Sequence, residues 1–153
     1  MQAFANLLER LVYTPQRNGK IALIAAYLRE SEDRDRGYGM AALCAELKLP
    51  NVSYSVLRDM IHARTDETLF RLSYDYVGDF AETVSLLWPG TLRNIPPPTL
   101  SDVVETLNGM TKAEGAKQVE AWLDVLGVNG RYGLIKLLTG GMRVGVSARL
   151  AKV

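Results

Sequence analysis

Apolar residues recur along nearly the whole chain at the i, i+3, i+4, i+7 spacing of a single helix face. Phe4, Leu7, Leu8 and Leu11 make the first stripe. Thr14-Pro15 is expected to open a second helix, with Thr14 as N-cap and Pro15 at the first position, where its missing N–H costs nothing. Ile21, Ile24, Ala25 and Leu28 are the expected buried face of that helix. Residues 31–37, Ser-Glu-Asp-Arg-Asp-Arg-Gly, read as a charged surface loop, and a third helix over about 38–48 is expected to stop before Pro50. Ser53 is placed to cap a fourth helix carrying Val56, Leu57, Met60 and Ile61. Residues 66–88 are helical in pattern with a break near Gly78. Their stripe of Val77, Phe80, Ala81, Val84, Leu87 and Trp88 ends at Trp88-Pro89-Gly90.

Asn94-Ile-Pro-Pro-Pro98 predicts a stiff, extended connector. The remaining chain is too short for comfortable independence, so the connector is read as joining two halves of one domain spanning residues 1–153. Beyond it, Thr99 caps a helix with Leu100, Val103, Val104 and Leu107 facing inward. Thr111-Lys-Ala-Glu114 is a capping-box pattern opening another that buries Val119, Trp122, Leu123 and Leu126. Gly127 and Gly130 are expected to bracket a turn before a helix from about Arg131 to Leu138. Alternation of strand type occurs only at Met142, Val144 and Val146. The pattern therefore predicts an all-α fold: one compact multi-helix domain of about eight to ten helices, with no significant sheet and no fixed-period repeat.

Composition excludes several classes. At 48% hydrophobic and 23% charged the chain is ordinary globular protein. It has no run of 18 apolar residues to span a membrane, and no basic start with a long apolar run to act as a signal peptide. Cys44 is the only cysteine, so no internal disulfide can form, and a reducing, cytoplasmic home is expected. Net charge is only +1, but it is unevenly spread. Residues 129–153 hold Arg131, Lys136, Arg143, Arg149 and Lys152 without any Asp or Glu, while the rest carries 13 basic and 17 acidic groups. Such asymmetry fits a local anion-facing patch; it also fits a basic tail of no special role.

Few residues could carry chemistry. His62 is the only histidine and reads as a surface or packing residue, which leaves no paired-His site. Cys44, within Ala41-Ala-Leu-Cys-Ala45, reads as a small core residue. Asp79, following Gly78, reads as a charge favoured at a helix N-terminus. Gly140 and Gly145 have the spacing of a nucleotide phosphate loop, with Ser147 at its Ser/Thr position. However, Val146 stands where that loop requires Lys, and an amphipathic helix precedes the segment instead of a strand. Phosphate contact of another kind remains open. Gly140 and Gly141 suit a helix stop, Ser147 suits the cap of a new helix, and Arg143 and Arg149 can each bind phosphate with two parallel hydrogen bonds. A plain interhelical turn with solvated arginines fits the same residues.

At these residues the chain resembles a known family. Leu138-Thr-Gly-Gly-Met-Arg-Val-Gly-Val-Ser147 is similar to the segment preceding the adenylation domain of bacterial ATP-dependent DNA ligases. The resemblance extends through Phe4-x-x-Leu-Leu-x-x-Leu, Thr14-Pro-x-Arg-Asn18 with Lys20, Leu72-Ser-Tyr-Asp-Tyr-Val-Gly-Asp-Phe-Ala-Glu-Thr-Val84, Lys112-Ala-Glu-Gly and Trp122-Leu-Asp, so it covers essentially the full chain. It implies an all-helical N-terminal domain that grips the minor groove of duplex or nicked DNA through phosphates and sugars, without base specificity, in repair, recombination and replication. The implied DNA-contacting residues are Gly140, Gly141, Arg143, Gly145, Ser147 and Arg149, with Arg17, Asn18 and Lys20 in a second stretch. Of the second stretch the residue pattern alone says only that it is a solvated helix face.

The resemblance also implies what lies elsewhere. Such ligases act through a lysine–AMP intermediate on a Lys-x-Asp-Gly motif, with ATP and Mg2+. Lys20, Lys48, Lys112, Lys117 and Lys136 all fail that motif, and Lys152 lies too near Val153. The chain is thus expected to be a fragment without ligase activity of its own and without a cofactor of its own. It would be monomeric, partnered by DNA and by the catalytic domains of the same ligase in the bacterial nucleoid. The competing expectation is a helical protein-interaction module, which needs an exposed apolar groove.

Overall fold

The stripe at Phe4, Leu7, Leu8 and Leu11 is the buried face of helix α1 (Gln2–Val12) in the computed structural model, which describes residues 1–44, 52–89 and 96–139. Eight further helices follow among the described residues: α2 (Arg17–Glu30), α3 (Asp33–Leu43), α4 (Tyr54–Arg64), α5 (Glu67–Val77), α6 (Phe80–Leu87), α7 (Leu100–Asn108), α8 (Lys112–Val125) and α9 (Val128–Thr139). The described residues contain no strand and form a single compact all-α domain, as the periodicity predicts. The alternation at Met142, Val144 and Val146 lies outside them.

Several helices start where their side chains can satisfy orphan backbone donors. Asp66 accepts from the Leu69 N–H at 3.0 Å and Asp79 from the Glu82 N–H at 2.8 Å. Thr99 with Asp102, and Thr111 with Glu114, close full capping boxes on α7 and α8. Each such cap contributes about 1 kcal/mol. Gly78 makes the break between α5 and α6, with φ of 80° in the left-handed region that favours glycine. Ser53 sits at the N-cap of α4, although its hydroxyl pairs with that of Ser55.

Four boundaries differ from the sequence reading, one of them the end of α3, which stops at Leu43 and not near residue 48. Thr14 closes α1 instead of opening α2: its hydroxyl donates to the Arg10 carbonyl at 2.7 Å, and α2 starts at Arg17 after Gln16. The charged run at 31–37 is mostly helix, since α3 begins at Asp33. Its acidic first turn complements the helix dipole. The Asp35 carboxylate also accepts from the Ser101 N–H at 2.9 Å and from the Ser101 hydroxyl, fastening α3 to the N-terminus of α7. Helix α9 begins at Val128, three residues early, because Gly130 lies inside it against the Leu126 side chain.

Helix α9 is the centre of the packing, lying against α1 and α6. Where α9 crosses α1, a Cβ on Gly133 would fall 2.6 Å from Ala5 Cβ and 3.0 Å from Ala5 Cα, so only glycine lets the two backbones approach this closely. The Met1 ammonium donates to the Pro98 carbonyl at 3.1 Å, and burial lowers its pKa. Contacts α1–α9 and α3–α7 therefore interlock the halves on either side of the Pro96–Pro98 stretch. Tyr27 of α2 is buried against Phe4, its hydroxyl directed at the Asp35 carbonyl.

Two outcomes follow from this packing. Gly133→Ala gains about 1 kcal/mol of helix propensity but meets backbone-anchored atoms. Net destabilisation of about 1–3 kcal/mol is expected, read as a lower urea midpoint at unchanged m value; a midpoint equal to wild type would show that α1 can retreat freely. Burial pushes the Tyr27 phenol from 10.0 up to about 12, with the Asp35 charge adding and the Ser31 hydrogen bond opposing. The unfolded chain therefore loses this proton first. Stability should hold below pH 10 and fall as pH rises towards 12, by up to roughly 2–3 kcal/mol, and Tyr27→Phe should flatten that limb.

Candidate nucleic-acid interface

Arg17, Asn18 and Lys20 occupy the first turn of α2, directly after the α1–α2 turn. Arg17 and Asn18 are exposed and Lys20 is half-buried. The turn is tight because Gly19 packs beneath Thr14, where a Cβ would stand 2.8 Å from Thr14 Cγ2. Thr14 and Arg10 line the same open hollow as Gly19, the exposed Tyr13 and Glu9, the one acid at its edge. Residues 10–20 thus hold Arg10, Arg17 and Lys20 with no Asp or Glu, and this second acid-free stretch was available as a signal in the sequence. Among the described residues neither Arg10 nor Arg17 is in an ion pair.

The start of α2 combines two cations with an uncapped first turn, a lack of cap and acid that it shares with α1 and α4. The first turn of α2 has no acidic residue and no side-chain cap, so its orphan N–H groups remain directed outwards. Cations here oppose the positive end of the helix dipole, at a cost of a few tenths of a kcal/mol each, and an anion would offset both. An exposed aromatic ring, two exposed guanidinium groups outside any described ion pair and a helix N-terminus are the kinds of group that a phosphate-contacting surface uses.

The principal sequence candidates, Gly140, Gly141, Arg143, Gly145, Ser147 and Arg149, lie outside the described residues, which stop at Thr139. Two members of the acid-free C-terminal stretch are described; Arg131 is buried, and Lys136 is half-buried and held in an ion pair. Lys136 is 2.7 Å from Asp79 and lies over the Tyr132 ring. Arg131 is buried: its Nε donates to the Leu123 carbonyl at 2.7 Å, and its Nη1 to the Trp88 carbonyl at 3.3 Å and the Ser85 carbonyl at 3.5 Å. The Ser85 carbonyl needs such a donor because the residue four positions on is Pro89, which has no N–H. The charge asymmetry read from residues 129–153 therefore overstates the surface charge by these two cations.

Arg131 belongs to a larger buried group that sequence reasoning missed. Asp124 of α8, 4% exposed, accepts from Arg64 Nη1 at 2.8 Å and from the Trp88 indole N–H at 2.9 Å through one oxygen. Arg64 also reaches Glu120, with Nε at 3.1 Å, and its guanidinium carbon is 4.5 Å from the centre of the Trp88 ring. Burial lowers the Arg131 pKa, with the Asp124 charge pulling the other way. The only hint in the sequence is an acid standing inside the apolar run Trp122, Leu123, Leu126.

The remaining chemistry-bearing residues have packing roles. His62 meets Phe70 edge-on at 5.4 Å, Cys44 is buried, and Asp79 caps α6. Among the described residues no group of three His, Cys, Asp or Glu side chains is placed to hold a metal ion, and no helix is long and apolar enough to cross a membrane. No protein-family model matches the chain, and no curated protein matches it significantly.

The buried group can be tested through Arg131. Arg131→Met leaves three carbonyls without this donor and removes a positive charge from the field of Asp124, so a loss of about 3–5 kcal/mol is expected in urea unfolding. A loss below about 1 kcal/mol would mean that water replaces the guanidinium.

Proposed function

We propose that this chain binds duplex DNA without sequence preference, through phosphate and sugar contacts, as the N-terminal module of an ATP-dependent DNA ligase. The observation that carries the reading is the exposed, acid-free turn from Arg10 to Lys20 at the uncapped start of α2. The resemblance of the whole chain to the helical domain of bacterial ligases supports it, as do Arg143 and Arg149 in the acid-free C-terminal stretch. Cations displayed on a turn of this kind serve mainly to contact phosphates and fix position on the duplex.

In this reading the domain is a monomer that holds a nick in the cytoplasm, at the nucleoid, for repair, recombination or replication. ATP and Mg2+ serve the catalytic domains of the same enzyme. This chain has no Lys-x-Asp-Gly to carry AMP, and Asp79, Asp102, Glu114, Glu120 and Asp124 serve caps and ion pairs. No step of nucleotidyl transfer is assigned to its residues.

Fluorescence anisotropy with nicked and intact duplexes of unrelated sequence tests the reading. Affinity should be similar across sequences and fall with salt at a log–log slope of about −3 to −4.5, as for roughly three to five neutralised phosphates. Arg17→Ala and Arg143→Ala should each weaken binding to every sequence alike and reduce the slope by about one. An amide NMR spectrum unchanged by duplex DNA at low salt would overturn the proposal.

A further inference from the structure

Six of the eight large hydrophobic residues exposed among the described residues share one surface. Val12, Tyr13, Leu86 and Val128 line a hollow where α1, α6 and α9 meet. Leu72 and Tyr76 line a second hollow between α5 and α6. Leu86 belongs to both, so the two form a continuous apolar strip astride α6. Exposed apolar residues scattered singly need no explanation, whereas a contiguous rimmed patch marks an interaction surface. The side chains that build the core are not its source: Leu7, Val84 and Trp122 are buried, and Leu28 is half-buried.

Charge narrows the occupant. The only charged residues lining either hollow are Glu9 and Glu82, both exposed. Tyr132, on the floor of the first hollow, has its phenol pKa raised by burial and further by Asp79, Glu82, Tyr13 and Glu9. The nearby cation, Lys136, is taken up by Asp79. The strip is thus apolar with an acidic edge. In a two-fold dimer both sides of the contact would carry the same acidic-edged strip, and neither would supply a cation for it.

We propose that this face docks a cationic amphipathic segment of another polypeptide, with apolar side chains in the hollows flanking Leu86 and lysine or arginine beside Glu9 and Glu82. The arrangement is that of an amphipathic helix laid in a groove, with anchors on one face and charges at their flanks. The two surfaces meet at Glu9 and Tyr13, which line both the first hollow and the hollow at the α1–α2 turn, while Glu82 and Leu86 lie off that turn and serve this face alone.

The probe is a synthetic helical peptide with leucine at i, i+4 and i+7 and lysine at the flanking positions, titrated into the full chain labelled with 15N. Amide shifts centred on Val12, Leu86 and Val128 are expected. The same peptide with glutamate for lysine should leave them unmoved. Leu86→Ala and Glu82→Lys, both at exposed positions and checked for folding by circular dichroism, should each weaken binding about tenfold. Three results would overturn the proposal: no shifts on this face, equal shifts with the glutamate peptide, or shifts confined to another surface. Self-association in sedimentation, abolished by Leu86→Ala, would assign the face to a second copy and also overturn it.

Discussion

The carboxylate of Asp124 is the point on which the four surrounding helices depend. It is held on α8, and it gathers Arg64 from the end of α4 and the Trp88 indole from the end of α6. Arg131 of α9, under its field, ties off the carbonyls that α6 and α8 leave open where they stop. Apolar contacts alone would tolerate a rotation or slide of these helices, because dispersion is non-directional and many packings bury similar area. Hydrogen bonds at fixed angles inside a low-dielectric interior do not, since a misplaced charge there has no water to turn to. The polar group accordingly fixes the register in which the leucine and valine faces meet.

Much of the architecture was legible in the chain because it rests on local rules. Helices α1, α6, α7 and α8 could be read directly, since their apolar stripes recur at helical spacing and Asp79, Thr99 and Thr111 are side chains that cap. Helix α3 could not. Its first two turns are charged residues and glycines, and what holds them is the distant Ser101 on α7, which no window of sequence contains. Thr14 misled for a related reason. A hydroxyl beside a proline can close the preceding helix as readily as open the next, and geometry selected the Arg10 carbonyl.

The candidate surface shows the limit of counting charges. Arg131 and Lys136 add to any sum over residues 129–153, yet Arg131 is buried against the Leu123 carbonyl and half-buried Lys136 is paired with Asp79. Formal charge along a chain records what a residue can offer, and only burial decides whether solvent or a ligand receives it. The turn at Arg10–Lys20 presents the opposite case: its net contribution is small, but it is displayed outward at a helix start. Tyr13 lies at the border between this cationic turn and the apolar strip on α6, so the two surfaces adjoin along one edge of the domain.

The crossing of Ala5 over Gly133 joins the two ends of the described chain. During synthesis the apolar face of α1 therefore leaves the ribosome long before the helix that will cover it. At about 5–20 residues per second that interval is several seconds or more. Phe4, Leu8 and Leu11 stay open to water or to other proteins for that time, and the helices between them can only assemble a provisional core. Completion waits on α9, which makes the last described helix to be translated the one that closes the domain. A nascent chain halted before α9 would present the same apolar stripe to chaperones or proteases, so the glycine that permits the tightest contact in the finished protein also sets when that protein becomes safe.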